Sequence, residues 1–346
     1  MKEADIKELK KAFEQFKLEN PKVRVRDAAK ALGVSEAELV NTYDDTVTLA
    51  PEFETILNEV STLGEVMALT RNDVAVHERK GIYTETSFQG KVGFVANEDI
   101  DLRIFLFYWA FAFAVSEGER QSLQFFDKWG QAIHKIYLTE KSDQEAYQAL
   151  VDRFKTEKQL SLPIERNLPT PPTEKPDQEV DIQAVREAWI NLQDTHDFFG
   201  IIRTHGLTRR QSMRIAPEGY TQQIAVSAIE SLLNKISESG MDFMVFIGNK
   251  SMIQIHTGKA QRILRTGPWI NILDEEFSMH LRDANLESVW IVKKPTNMGL
   301  VHSIEAYDAK GELIVQLFGK RKPDVPERDD WRELIQSLSD GVVQQG

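Results

Sequence analysis

SIEAYDAKGELI (Ser303–Ile314) decides the fold, because the chain carries a close variant of it once before, as SLQFFDKWGQAI (Ser122–Ile133). Each copy places a glycine-bearing turn between two strand-like runs, which predicts an antiparallel hairpin. Working outward from this pair, other segments recur in the same order. LGVSEAE (Leu32–Glu38) lines up with HGLTRRQ (His205–Gln211): a glycine ends one helix, then Ser or Thr caps the next, with Glu or Gln three residues on. RNDVAVHERKG (Arg71–Gly81) aligns with GNKSMIQIHTGK (Gly248–Lys259) across a two-residue gap, pairing His77 with His256. IDLR ending at Arg103 then meets MHLR ending at Arg282, and a helix closes each half, one around AYQALV and one around DWRELI. Each half thus reads as helices, a run of strands and hairpins, and a final helix. Segregated elements predict an α+β fold, internally duplicated, each half a large antiparallel β-sheet flanked by helices.

Between the halves, PIERNLPTPPTEKPDQ (Pro163–Gln178) carries five prolines and little that is apolar, so it reads as an extended linker. The expected organisation is an N-terminal repeat over 1–162, a proline-rich linker over 163–178 and a C-terminal repeat over 179–346.

The 346 residues carry 54 acidic and 42 basic side chains, a net charge of −12, and no cysteine. A chain this acidic has no global attraction for phosphate backbones, which argues against nucleic acid even though the Gly–Ser/Thr turns resemble a helix-turn-helix. Thiolate ligands and disulfides are excluded. The charged start MKEADIKELKK has no apolar signal-peptide core, and IFLFYWAFAFAV (Ile104–Val115) is too short to span a bilayer as a helix. The expected location is the cytoplasm. Dinucleotide, P-loop, zincin, nucleophile-elbow and EF-hand motifs are all missing from the sequence.

One histidine stands out. A helix capped by Asp181 and running from Ile182 towards His205 would place Ile182, Val185, Trp189, Leu192 and Phe199 on one face, and His196 fills the gap in that stripe. On pattern alone, His196 is a buried core histidine or a neutral imidazole presented from an apolar wall, as an axial haem ligand requires. Arg209 and Arg210 fall in the first turn of the next helix, where cations oppose the dipole and an anion site would justify them. In RIFLFYWAFAFAV the alternation predicts a single strand with one aromatic face that begins at Arg103. In ELIVQLFGKRK, Gln316 and Phe318 share a face. Lys294 falls on the Trp290–Val292 face of VWIVKKP, a position from which lysines often snorkel.

DTHDFF, NPKVRVRDAAKALGVSEAELV, TRNDVAVHE, DLRIFLFYWAFAF and VWIVKKPT together resemble the HemS/HmuS/ChuS family of bacterial cytoplasmic haem-binding, hemin-degrading proteins, over nearly the whole chain. The resemblance implies haem held mainly by the C-terminal half. It implies His196 as the proximal iron ligand and Arg103 on the distal side, with Arg209, Lys294, Gln316, Phe318 and Arg321 around the propionates or pocket rim. A guanidinium has no free lone pair, so Arg103 fits a hydrogen-bond donor better than an iron ligand. His77 is a candidate for a secondary haem site in the N-terminal half, where Val23, or a neighbour if the offset slips, takes the position matching His196.

Two functions follow from the resemblance. One is reductant-dependent haem degradation for iron acquisition, with haem as substrate and an external electron donor, NAD(P)H or a reductase partner. The other is a haem chaperone that takes haem from an importer on the cytoplasmic face and delivers it to a separate oxygenase.

Overall fold

The computed structural model describes residues 3–158, 161–170, 172–321 and 325–343; Pro171 of the proline-rich stretch lies outside them. Two nine-stranded antiparallel sheets form the frame. In order across the first lie β1 (Thr46–Leu49), β7 (Trp109–Glu117), β8 (Arg120–Asp127), β9 (Ala132–Ser142), β2 (Gly64–Arg71), β3 (Ala75–Gly81), β15 (Phe277–Leu281), β14 (Trp269–Leu273) and β13 (Ile263–Thr266). Across the second lie β10 (Thr221–Ile224), β16 (Leu286–Thr296), β17 (Gly299–Asp308), β18 (Leu313–Gly319), β11 (Phe243–Asn249), β12 (Met252–Gly258), β6 (Asp101–Phe105), β5 (Val92–Ala96) and β4 (Thr86–Gln89). The two orders match strand for strand: six from one half of the sequence, then three from the other. The duplication is therefore real, and the last three strands of each series are exchanged.

The chain forms two compact units, Met1–Arg71 with His77–Pro169 and Gly248–Gln254, and Asn72–Val76 with Thr170–Ile247 and Ile255–Gly346. In the first unit, α4 (Phe53–Glu59) and α5 (Gln144–Phe154) cover a core that includes Ile56, Val66, Phe125, Ile136 and Leu150. The helices α1 (Glu3–Glu19), α2 (Val25–Ala31) and α3 (Glu36–Asn41) precede them; Ser35 and Glu38 close a complete capping box on α3. In the second unit, α9 (Ala228–Ser239) and α10 (Asp329–Val343) bury Leu232, Ile236, Trp331 and Ile335 against Ile304, Ala306 and Leu317. A separate cluster joins α6 (Ile182–Ile190), α7 (Phe198–His205) and α8 (Arg209–Ile215) to Val292 and Tyr307. Because strand residues alternate faces, Ile304 and Ala306 meet α9 and α10, while Ser303, Glu305 and Tyr307 face the other way, towards α6–α8.

Two expectations about continuity are corrected. The helix read from Ile182 to His205 is broken. α6 ends with Asn191 as its C-cap, a 3₁₀ turn occupies Thr195–Asp197, and α7 starts afresh at Phe198. Asn191 closes α6, its side-chain N–H donating to the Glu187 carbonyl at 2.8 Å, and Asp194 caps the 3₁₀ turn, its carboxylate accepting the His196 backbone N–H at 2.8 Å. The break resets the phase, so Phe198 is buried and Phe199 is 68% exposed. Likewise, the single strand expected from Arg103 to Phe113 is two strands. β6 and β7 belong to different sheets, with a turn between them that leaves Phe107 exposed. Phe111 and Phe113 are buried, but so are Ala112 and Ala114, because β7 is covered on both faces and its alternation carries no information about exposure.

Candidate functional site

The second unit assembles the site from α6–α8 and the ends of β16–β18. The loop before the 3₁₀ turn is tied down by Asn297, whose N–H donates to the Gln193 carbonyl at 2.9 Å, while the Trp189 indole donates to the Lys293 carbonyl at 2.9 Å. This seats the turn near the end of β16.

His196 is not part of the apolar stripe. Its side chain is 93% exposed, which corrects the expectation of burial. Its Nδ1 lies 2.6 Å from an oxygen of Asp194. A carboxylate only accepts, so Nδ1 carries a proton, and in the neutral ring the lone pair is on Nε2. The Asp194 carboxyl is held below its ordinary range, first by the His196 backbone N–H and then, against burial, by the imidazole. A ring fixed through one nitrogen by a carboxylate, with the other nitrogen open, is how proteins orient histidine ligands to metals.

Two residues on, Phe198 is buried, with Trp189 edge-on at 4.5 Å. The Arg209 guanidinium and the Lys294 ammonium lie over its ring, 5.5 and 4.5 Å from the centroid. Both cations converge on Glu305, which is fully buried in the middle of β17. Arg209 donates to it from Nε at 2.8 Å and Nη2 at 2.9 Å, Lys294 from Nζ at 2.6 Å, Gln316 from Nε2 at 3.0 Å and Tyr307 from its hydroxyl at 2.6 Å. Burial alone would raise the Glu305 carboxyl; Arg209 and Lys294 override it and hold the group well below the usual range. For Lys294 burial dominates, pulling the ammonium down to about 8 although Glu305 opposes the shift. Two cations around one carboxylate leave the cluster one positive charge in excess. The Trp290 indole N–H, on the strand position across from Glu305, is buried with no hydrogen-bond partner.

The structure thus joins Arg209, Lys294 and Gln316, but through a residue the sequence reading did not single out. Lys294 does not snorkel; it is 3% exposed because Glu305 holds it in. Nor do the arginines form an open anion site at the start of α8. Arg209 is committed to Glu305, Arg210 to Glu174 at 3.2 Å, and Arg214 to Asp177 at 2.8 Å and to Glu174. Glu174 and Asp177 come from the proline-rich stretch, which is pinned here rather than free. Phe318 meets Phe246 edge to face at 5.1 Å. Arg321 follows β18 and lies near enough to Asp194 to lower its carboxyl. In the first unit, the Arg103 guanidinium is paired with Asp101 and lies over the Phe94 ring at 5.5 Å. His77 and His256 are buried on the matching strands β3 and β12.

Strand register shows what the fold itself demands of these positions. Gln124 faces Lys135 across β8–β9 as Glu305 faces Gln316 across β17–β18. By the same register and the capping alignment, Glu36 occupies the place of Arg209, and Glu117 that of Lys294. The first half therefore puts acids where the second has its two cations, a glutamine in place of Glu305 and a lysine in place of Gln316. The cation pair is not required by the fold.

Comparison with known proteins agrees with this architecture. The model of the haemin-degrading HemS.ChuX domain matches the chain twice, over residues 33–154 and 206–338. The chain belongs to this family. It is 36% identical over 340 residues to the hemin transport protein HemS of Yersinia enterocolitica, covering 95% of this chain and 98% of that protein. The heme-binding protein PhuS of Pseudomonas aeruginosa, in its holo form, superposes with a TM-score of 0.94 at 42% identity, covering 96% of this chain and 99% of that one. ChuS, an Escherichia coli heme oxygenase, superposes with a TM-score of 0.86 at 32% identity, covering 95% and 99%.

Two residues of this family member escaped the sequence reading. Asp194 had a local signal, a carboxylate two residues before the histidine in DTHDFF. Glu305 had a weaker one, a charge on the Ser303–Tyr307 face of a strand inside the repeated hairpin.

Proposed function

We propose that this protein binds haem through His196 and degrades it when an external donor supplies electrons. One observation carries the reading: the imidazole is fixed by Asp194 through Nδ1 and offers Nε2 outward. Residues of the right kind belong to the same unit. Phe318 supplies apolar surface, and the Arg209–Lys294–Glu305 cluster carries the excess positive charge that a propionate complements. Arg321 adds a further cation at the rim. When bound, haem supplies the iron at which dioxygen is activated and the ring that is opened. The chain's own part is to hold the iron on one imidazole, orient the acid tails and donate hydrogen bonds from Arg103. The distal role of Arg103 rests on its match in DLRIF; Asp101 and Phe94 hold that guanidinium in a fixed orientation. The naming of one relative as a heme oxygenase supports degradation.

A second reading is delivery of haem to another protein. The exposure of His196 favours it, since a ligand at the surface can be exchanged directly, and relatives are named hemin transport proteins. On either reading the expected setting is the cytoplasm, with an importer and a reductase or acceptor as partners. No helix among the described residues is long and apolar enough to cross a membrane.

The test is to give the haem-loaded protein a reductant under air, with and without catalase. Loss of the Soret band that persists with catalase and yields a defined tetrapyrrole supports degradation. Bleaching abolished by catalase assigns delivery. Two substitutions refine the site. Asp194→Ala is expected to weaken ferric haem binding roughly tenfold, the low end for removing a carboxylate behind a histidine ligand; equal titration curves for variant and wild type would reject the orienting role. Arg103→Ala is expected to bind ferric haem within about threefold of wild type, since a distal hydrogen bond contributes under about 1 kcal/mol here. Its absorption spectrum and turnover should change, and identity in both would remove Arg103 from the distal side.

A further inference from the structure

We propose that Glu305 is a positioning residue of the haem site: it fixes the Arg209 guanidinium and the Lys294 ammonium side by side and keeps the ammonium charged, so that the trio presents one uncompensated positive charge to a carboxylate tail. The inference rests on the haem reading above and names what makes its cationic side work.

The geometry is specific. Glu305 sits on the central strand, with Lys294 on the strand to one side and Gln316 directly across on the other. Its Oε1 accepts from Arg209, Lys294 and Gln316, and its Oε2 from Arg209 and Tyr307. Every lone-pair direction is used, so neither oxygen can turn away without breaking a bond. The Arg209 contact is two-point, which sets the plane of the guanidinium as well as its place. Two of the three N–H donors on Lys294 are left by its bond to Glu305.

The charge balance points the same way. The groups facing Lys294 are Glu305 from β17, Arg209 from α8 and the Phe198 ring from α7. Without the carboxylate, a buried ammonium would stand beside a buried guanidinium, and the lysine would shed its proton, since arginine cannot. Glu305 thus secures the second cation. The N-terminal half shows that the framework does not need this arrangement: there the matching places hold Gln124, Glu36, Glu117 and Lys135. A buried carboxylate with two cations is retained where the haem reading places a dianionic ligand.

The experiment compares ferric haem with its dimethyl ester, which keeps the iron and the ring but lacks both charges. Affinities are measured by Soret titration for wild type, Glu305→Gln and Glu305→Asp between pH 6.5 and 9. Wild type is expected to prefer the diacid roughly tenfold or more at pH 7, the scale of one charge-assisted bond. That preference should fall as pH rises through the lysine's titration near 8. In Glu305→Gln the preference should no longer change between pH 6.5 and 9, because Lys294 is neutral throughout and Arg209 alone supplies the charge. Glu305→Asp, shorter by one methylene, should move the midpoint of the preference to lower pH. A Glu305→Gln protein with the wild-type preference and pH profile overturns the proposal. If that variant does not fold, an unmoved midpoint in Glu305→Asp overturns it instead. If wild type binds neither compound, the haem reading itself falls; if it binds both equally, the cluster has no role towards the acid tails and only the imidazole assignment stands.

Discussion

Ferric haem is expected to bind His196→Ala at least about a hundredfold more weakly than wild type, a loss of roughly 2.7 kcal/mol. The side chain is almost wholly exposed, and its one partner is Asp194 two residues away. Its removal should therefore leave stability within about 0.5 kcal/mol of wild type. That separation makes the experiment clean, because a change in haem affinity cannot be blamed on a damaged fold. Among the described residues no group of three His, Asp or Glu side chains could hold a metal ion, so no built-in cluster replaces the lost nitrogen. The measurement is a Soret titration alongside an unfolding curve. An unshifted Soret band with unchanged affinity would remove His196 from the iron.

The second large effect is on stability and lies in the other half. Glu36→Gln is expected to destabilise the protein by about 3 kcal/mol at pH 7, as expected when one member of a buried ion cluster is removed. Glu36 is buried and accepts from the Lys135 ammonium at 2.7 Å and from Arg71. Burial by itself would raise its carboxyl, but Lys135 and Arg71 overcome that and hold it at about 2, below the ordinary 4.5. The sign of the pH dependence follows. A carboxyl depressed in the folded state stabilises fully above its unfolded pKa, and that contribution is lost as pH falls from about 4.5 through about 2. Urea unfolding at pH 7, 4 and 3 should show the gap between wild type and Glu36→Gln narrowing as the solution is acidified. A gap that stays constant or widens would show that the ion cluster is not what Glu36 contributes.

These two residues mark where sequence patterns carry information and where they do not. The duplication was legible because hairpins and capped turns are written locally: a Ser or Thr cap with Glu or Gln three residues on, a glycine at a turn, a charged tip between apolar runs. Repetition of such signals in one order is enough to predict an α+β repeat with antiparallel sheets. The helical phase of His196 was legible too, and misleading. Periodicity assumes an unbroken helix, but α6 ends at Asn191 and Asp194 caps a separate turn that carries the histidine. The same limit applies to the run from Arg103 to Phe113, where alternation cannot show that a strand has stopped in one sheet and a new one begun in another.

By itself, then, the sequence determined the repeated elements, the acidic surface, the lack of thiolate chemistry and the identity of the histidine worth asking about. Only the tertiary structure decided that this histidine faces outward, that Glu305 draws Arg209, Lys294 and Gln316 together, and that the first half puts acids at the places of Arg209 and Lys294. The physical reason is range. Caps, turns and periodicity act over a few residues, whereas the partners of Glu305 lie 96 residues before it along the chain and 11 to either side. Strand pairing and helix packing alone bring them within hydrogen-bonding distance.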